Sequence, residues 1–237
     1  MKKFQVEETF WELFPQAQIY VLVLNNINNQ EKPEKVAYFQ ELLMNGSKEA
    51  QQFIQEEPFT QNAVIAQWRE AFMKFKTKKG ARSSIEALLK RVSQGREFSP
   101  INPLVDLYNS VSLKYALPCG GEDLAEISGD LRLGKAQGGE NFLPLGAETD
   151  APALPEEIIY YDHIGAVCRC LNWREAQRTM LTNKTTDAVL VIEAINEEQA
   201  QRAQLALNEL QQLTQNHFEV VATSHVLTKE TPECPLA

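Results

Sequence analysis

The residues best suited to chemistry lie between Asn102 and Asp123, in Asn-Pro-Leu-Val-Asp-Leu-Tyr-Asn-Ser-Val-Ser-Leu-Lys-Tyr-Ala-Leu-Pro-Cys-Gly-Gly-Glu-Asp. Gly120 and Gly121 leave backbone amides unobstructed beside two carboxylates, Glu122 and Asp123. Amides of that kind stabilise an oxyanion, and a carboxylate positions water or holds an amino group. Together they suit the hydrolysis of a small ester. The plainer alternative is a helix end with a solvated acidic turn, since glycine commonly follows a helix. Asp106 and Asn109 stand upstream on the same helix. They either line a site or pin neighbouring backbone, because buried polar groups must be paired.

The elements that position this stretch can be read locally. Asn102 is a cap, and Pro103 suits a first helical turn, where its missing amide is no loss. Leu104, Leu107, Tyr108, Val111 and Tyr115 recur at helical spacing. Pro118 is expected to stop the helix and Gly120-Gly121 to make a tight turn.

The chain has 237 residues and a net charge of −9, which argues against sequence-blind nucleic-acid binding while leaving room for a local basic patch. Lys74-Phe-Lys-Thr-Lys-Lys-Gly-Ala-Arg82 is such a patch, with Lys74, Lys76, Lys78, Lys79 and Arg82 and no acidic residue. Ser83-Ser-Ile-Glu86 matches a capping box, and the helix it opens adds Lys90 and Arg91 to the stripe. A run of like charge is either a solvated loop or a contact for phosphates. Met1-Lys2-Lys3 leads into polar sequence rather than an apolar run, so no secretory signal is expected. The apolar segments are too short to span a bilayer. The expectation is a cytoplasmic protein with free thiols, no cofactor and no membrane contact. No protein partner can be inferred. Cys168-Arg169-Cys170, read as a strand, aims both thiols at one face. With His163 and Cys119 it would make only an improvised metal site, so the thiols are read as ordinary buried cysteines.

The remaining pattern is mixed. Lys3 to Val6 and Ile19 to Leu24 read as strands, the latter apolar on both faces and therefore central. Helices are expected over Glu34–Met44 and Ser47–Gln55, broken at Asn45-Gly46, and over Thr60–Phe75. Asp130–Ala136 should return through Gln137–Glu140 to Asn141–Leu145. Ile158–Tyr161 and Gly165–Arg169 should form a second hairpin. Thr179–Thr182 and Ala188–Ile192 follow as strands, then an amphipathic helix from Asn196 and a last strand over His217–Ala222. Asn172, Trp173 and Arg174 form a turn, with Arg169 nearby. Trp173 reads more as core than as a stacking platform. The three polar groups are as much candidates for ligand contact as for packing. No dinucleotide, P-loop or nucleophile-elbow fingerprint is present.

Three stretches together resemble the tRNA-binding and editing domain of the phenylalanyl-tRNA synthetase beta subunit, in freestanding form. They are Ser83–Leu89 with Asn102–Asn109, Leu117–Asp123 with Gly129-Asp130, and Asn172–Thr179 continuing to Thr185–Glu193. The resemblance implies an α+β fold, with a helix-rich N-terminal part packed on a strand-rich C-terminal part. It would form one unit over 1–237, with wrapping elements in 1–75, a family-like core in 76–195 and a closing helix and strand in 196–237. It also implies a partner, tRNA or aminoacyl-tRNA, and an activity, hydrolysis of a misattached amino acid in trans. A binding module for a tRNA end, amino acid or nucleotide is the alternative. On this resemblance the aminoacylation modules are expected to be absent, so the chain is not expected to charge tRNA itself. On this reading Glu122, Gly120 and Gly121 are catalytic candidates. Asp106, Asn109, Asp123, Arg169, Asn172 and Arg174 would contact substrate, and the basic stripe would contact RNA. Gly120 aligns with a position where bacterial synthetases carry histidine.

Overall fold

The computed structural model describes residues 2–236. Its centre is a four-stranded sheet in the order β3 (Cys119–Asp123), β8 (Ala188–Ala194), β2 (Gln18–Leu24), β9 (Thr223–Leu227), all antiparallel. The expectation that Ile19–Leu24 is central holds, and alternation explains why it is apolar on both faces. Tyr20, Leu22 and Leu24 pack under helices α5 (Pro103–Tyr115) and α6 (Glu197–Phe218). Ile19, Val21 and Val23 face the larger core shared with the second sheet. That sheet has six strands in the order β10 (Glu233–Pro235), β1 (Lys3–Val6), β4 (Leu131–Lys135), β5 (Ile158–Tyr161), β6 (Ala166–Arg169), β7 (Arg174–Glu175). β1 runs parallel to β4, and the β5–β6 hairpin forms where the sequence places it. The fold class is α+β, as expected, and the N-terminal half contributes a strand to each sheet. The remaining helices are α1 (Glu8–Trp11), α2 (Val36–Ala50), α3 (Ala63–Phe72) and α4 (Ser84–Ser93).

Both predicted caps form. Asn102 Oδ1 accepts from Val105 N at 3.1 Å, and Ser83 Oγ accepts from Glu86 N at 3.3 Å. The end of α5 differs from expectation. Ala116, not a glycine, takes the left-handed conformation (φ 51°), and Leu117 N closes back on Ser112 O at 3.2 Å. Gly120 and Gly121 therefore lie in a strand, with Gly120 opposite Val191 and Gly121 opposite Leu190. Asn45-Gly46 does not break α2. Gly46 lies where a Cβ would stand 2.7 Å from Ser110 O, so it allows α2 to press on α5. Asn141–Leu145 is not a strand, Thr179–Thr182 contributes only a bridge at Met180, and in place of a strand over His217–Ala222 β9 begins at Thr223, because α6 runs on to Phe218. No helix among the described residues is long and apolar enough to cross a membrane.

Candidate functional site

β3 brings Glu122 inward rather than onto a solvated turn, and Glu122 and Asp123 are both buried. Asp123 is fully occupied: its Oδ1 accepts from Ala125 N at 3.0 Å and its Oδ2 from the Thr185 hydroxyl at 2.7 Å. Glu122 is not. Its Oε1 accepts from the Cys168 thiol at 3.2 Å, while Oε2 has no partner. Burial, then the neighbouring Glu175, holds its carboxyl well above the usual carboxylate range, and the Thr179 hydroxyl and Cys168 thiol only oppose this. Burial also pushes Glu175 up to about 7 and Glu193, which accepts from the Tyr160 hydroxyl at 2.8 Å, up to about 8.

Gly120, Gly121, Glu122, Tyr160, Cys168 and Asn172 surround a void of about 10 Å³, room for one water. Asn172 stands at its half-buried mouth, and its Nδ2 is a second orphan atom. Glycine at 120 is required by this arrangement, since a Cβ there would lie 2.3 Å from Asn172 Nδ2. At 121 the requirement is packing, since a Cβ there would lie 2.3 Å from Leu190 Cδ2. In an antiparallel ladder, alternate residues turn their amides toward the neighbour. Bonds from Glu193 N to Pro118 O and from Leu124 N to Asp187 O set the phase. Gly120 therefore bonds to β8, and Gly121 turns its amide to the opposite edge, beside the bridge from Glu122 to Met180.

The other candidates divide. Asp106 is buried and accepts from Ile101 N at 2.9 Å, and burial raises it to about 7. Its hydrogen bond holds the approach to α5. Asn109 is half-buried on α5 and makes no side-chain hydrogen bond among the described residues. Arg169 is buried in a fork with Glu157, at 2.7 and 2.5 Å, and also donates to Ala151 O. Arg174 is exposed and stacks on Trp173 at 5.2 Å.

The basic stripe is likewise not one surface. Lys74 lies over Phe14, Lys90 over Phe59, and Arg91 over Phe98 while donating to Glu97 O. Lys76 is exposed, its backbone tied to Glu156. Lys78, Lys79 and Arg82 line a cavity of about 270 Å³ with Arg169, Trp173 and Arg174. A wider, largely apolar cavity of about 430 Å³ between α2 and α4 carries no comparable set of groups.

All four cysteines are buried free thiols. Cys168 and Cys170 do not share a face as expected. β6 ends at Arg169, and Cys170 turns left-handed (φ 51°) toward Glu157. Among the described residues no three His, Cys, Asp or Glu side chains are placed to hold a metal.

The family model of the B3/4 domain matches residues 67–221. The chain belongs to the B3/4 domain family. Among solved structures it is similar to an N-terminal fragment of the phenylalanyl-tRNA synthetase beta-subunit from Pyrococcus horikoshii, with 11% identity and a TM-score of 0.50. That similarity covers 98% of this chain and 54% of the fragment, so the chain spans about half the fragment's length. No curated protein matches it. The resemblance drawn from sequence is thus borne out for the family, and the neighbour for the fold.

Within this B3/4 domain the candidates Glu122 and Asn172 come together on one void, while Cys168 as the partner of Glu122, Glu175, Glu193 and Glu157 were not among the sequence candidates. Glu193 had a signal, an acid inside an apolar strand. Glu157 carries no local signal, and only the packing reveals its arginine.

Proposed function

We propose that this B3/4 domain binds the aminoacylated end of a tRNA and hydrolyses the ester of a misattached amino acid in trans. The family supports the class of substrate. The reading is carried by the two unpartnered polar atoms, Glu122 Oε2 and Asn172 Nδ2, on one small void beside Gly120 and Gly121. Burial that raises the Glu122 carboxyl favours its protonated form, and a protonated carboxyl donates a hydrogen bond. With the Asn172 amide it offers two donors to an ester carbonyl oxygen as charge develops there. Water adds to the carbonyl carbon, the bond to the terminal ribose oxygen breaks, and the water's proton ends on that oxygen. The Asn172 carboxamide fills the space a side chain at Gly120 would take, where the bacterial relatives named by resemblance carry histidine. Swinging Asn172 off Gly120 is the movement that admits a substrate.

The size of the void, about 10 Å³, favours a second reading, a module that binds a tRNA end, amino acid or nucleotide without cleavage. Deacylation of a panel of mischarged tRNAs separates the two. Wild type should release one amino acid, Glu122→Leu should be slower by about 100-fold or more, and Glu122→Gln, which still donates, should stay within about tenfold. Glutamine as inactive as leucine would make the carboxylate a base instead of a donor. No release from any tRNA, with binding retained, would leave the binding module.

A further inference from the structure

Alternation along β6 and β7 sorts charge across the six-stranded sheet. Cys168 and Glu175, a cross-strand pair, turn toward Glu122. The next pair, Arg169 and Arg174, stands on the opposite face, where the loop carrying Lys78, Lys79 and Arg82 meets it around the cavity of about 270 Å³. Two arginines directly opposite on a ladder repel each other. Glu157 relieves only one of them, since its fork is spent on Arg169. Among the described residues, Arg174, Lys78, Lys79 and Arg82 pair with no carboxylate. The chain has 32 acidic residues, so four unpaired cations around one concavity do not reflect a shortage of partners. Trp173 and Phe142 supply aromatic walls to the same cavity.

We propose that this pocket, on the face of the sheet turned away from Glu122, is a binding site for a nucleotide phosphate, with the adjoining base stacked on Trp173. Cations on separate side chains suit the several acceptor oxygens of a phosphate, and a half-buried indole suits a base. A free nucleotide and an unpaired stretch of RNA present the same chemistry. The site is independent of ester hydrolysis, because none of its residues lines the void at Glu122.

Trp11 and Trp68 are 1% exposed, so quenching of tryptophan fluorescence by an added base reports Trp173. The full chain is titrated with AMP, with a short oligoadenylate and with adenosine. Saturable quenching by AMP identifies a free nucleotide as a sufficient ligand. Quenching by the oligonucleotide alone identifies RNA. In either case adenosine should bind at least about tenfold more weakly, and so should the phosphate ligand to the Lys79→Glu/Arg174→Glu double variant. For the oligonucleotide, the slope of log affinity against log salt should fall by about 0.7 per lost contact. Both substituted side chains are exposed, so the variant's urea midpoint should match wild type and separate lost binding from lost folding. The site is overturned by the absence of saturable quenching with either phosphate probe, by adenosine binding equally well, or by a double variant that binds like wild type. A chain that binds the probe but releases no amino acid refutes the hydrolase alone.

Discussion

Replacing Glu193 by glutamine should stabilise the protein, and increasingly so as pH rises. Glu193 lies in β8, 2% exposed, and accepts from the Tyr160 hydroxyl at 2.8 Å, a bond that a glutamine carbonyl can also accept. Burial raises its carboxyl from 4.5 to about 8, with the Tyr160 hydroxyl and the backbone N–H of Asn172 opposing the rise. Between those values the folded protein keeps a proton that the unfolded chain has released. Stability therefore falls as pH rises through that window, and the full cost is present above it. The span corresponds to a cost of about 5 kcal/mol at alkaline pH. Of this, about 3 kcal/mol develops between about pH 5.5 and about pH 9. Urea denaturation of wild type and Glu193→Gln at those two conditions gives the test, and the difference between the proteins removes the contribution of every other titrating group. The variant's advantage should grow by about that amount. An advantage that does not change with pH would show that Glu193 is ionised in the folded protein, and the same argument for Glu122 would fall with it.

Two further outcomes follow from the packing. Glu157→Gln and Arg169→Met should each cost about 3–5 kcal/mol by urea denaturation, because each strands a buried charge. The double replacement Glu157→Leu/Arg169→Met should recover much of the loss. Additive losses would refute the pairing. Gly46→Ala should cost about 1–3 kcal/mol in spite of alanine's better helix propensity, because its methyl would meet Ser110 O at 2.7 Å. A thermal midpoint equal to or above that of wild type would refute the close approach of α2 to α5.

By itself the sequence determined what depends on neighbours within a few residues. Asn102 with Pro103, and Ser83 with Glu86, start helices from local hydrogen bonds, and the apolar run at Ile19 could only be an inner strand. The family was legible too, because the order of its motifs survives in the chain. What depended on distant chain was decided only in the tertiary structure. Gly120-Gly121 has the composition of a turn, and it became a strand because β8 offers a ladder and Leu190 leaves no room for a side chain. Asn45-Gly46 has the composition of a break, and it stayed helical because α5 packs against it. Each lysine and arginine of the basic stripe looks alike in sequence. Packing ties some to Phe14, Phe59 and Phe98 and leaves Lys78, Lys79 and Arg82 beside Arg174. The upward shift of the Glu122 carboxyl is the same kind of property. A carboxyl's charge is set by the water it loses and the groups that replace it, and Cys168, Glu175 and Asn172 reach it only when two sheets close over one core.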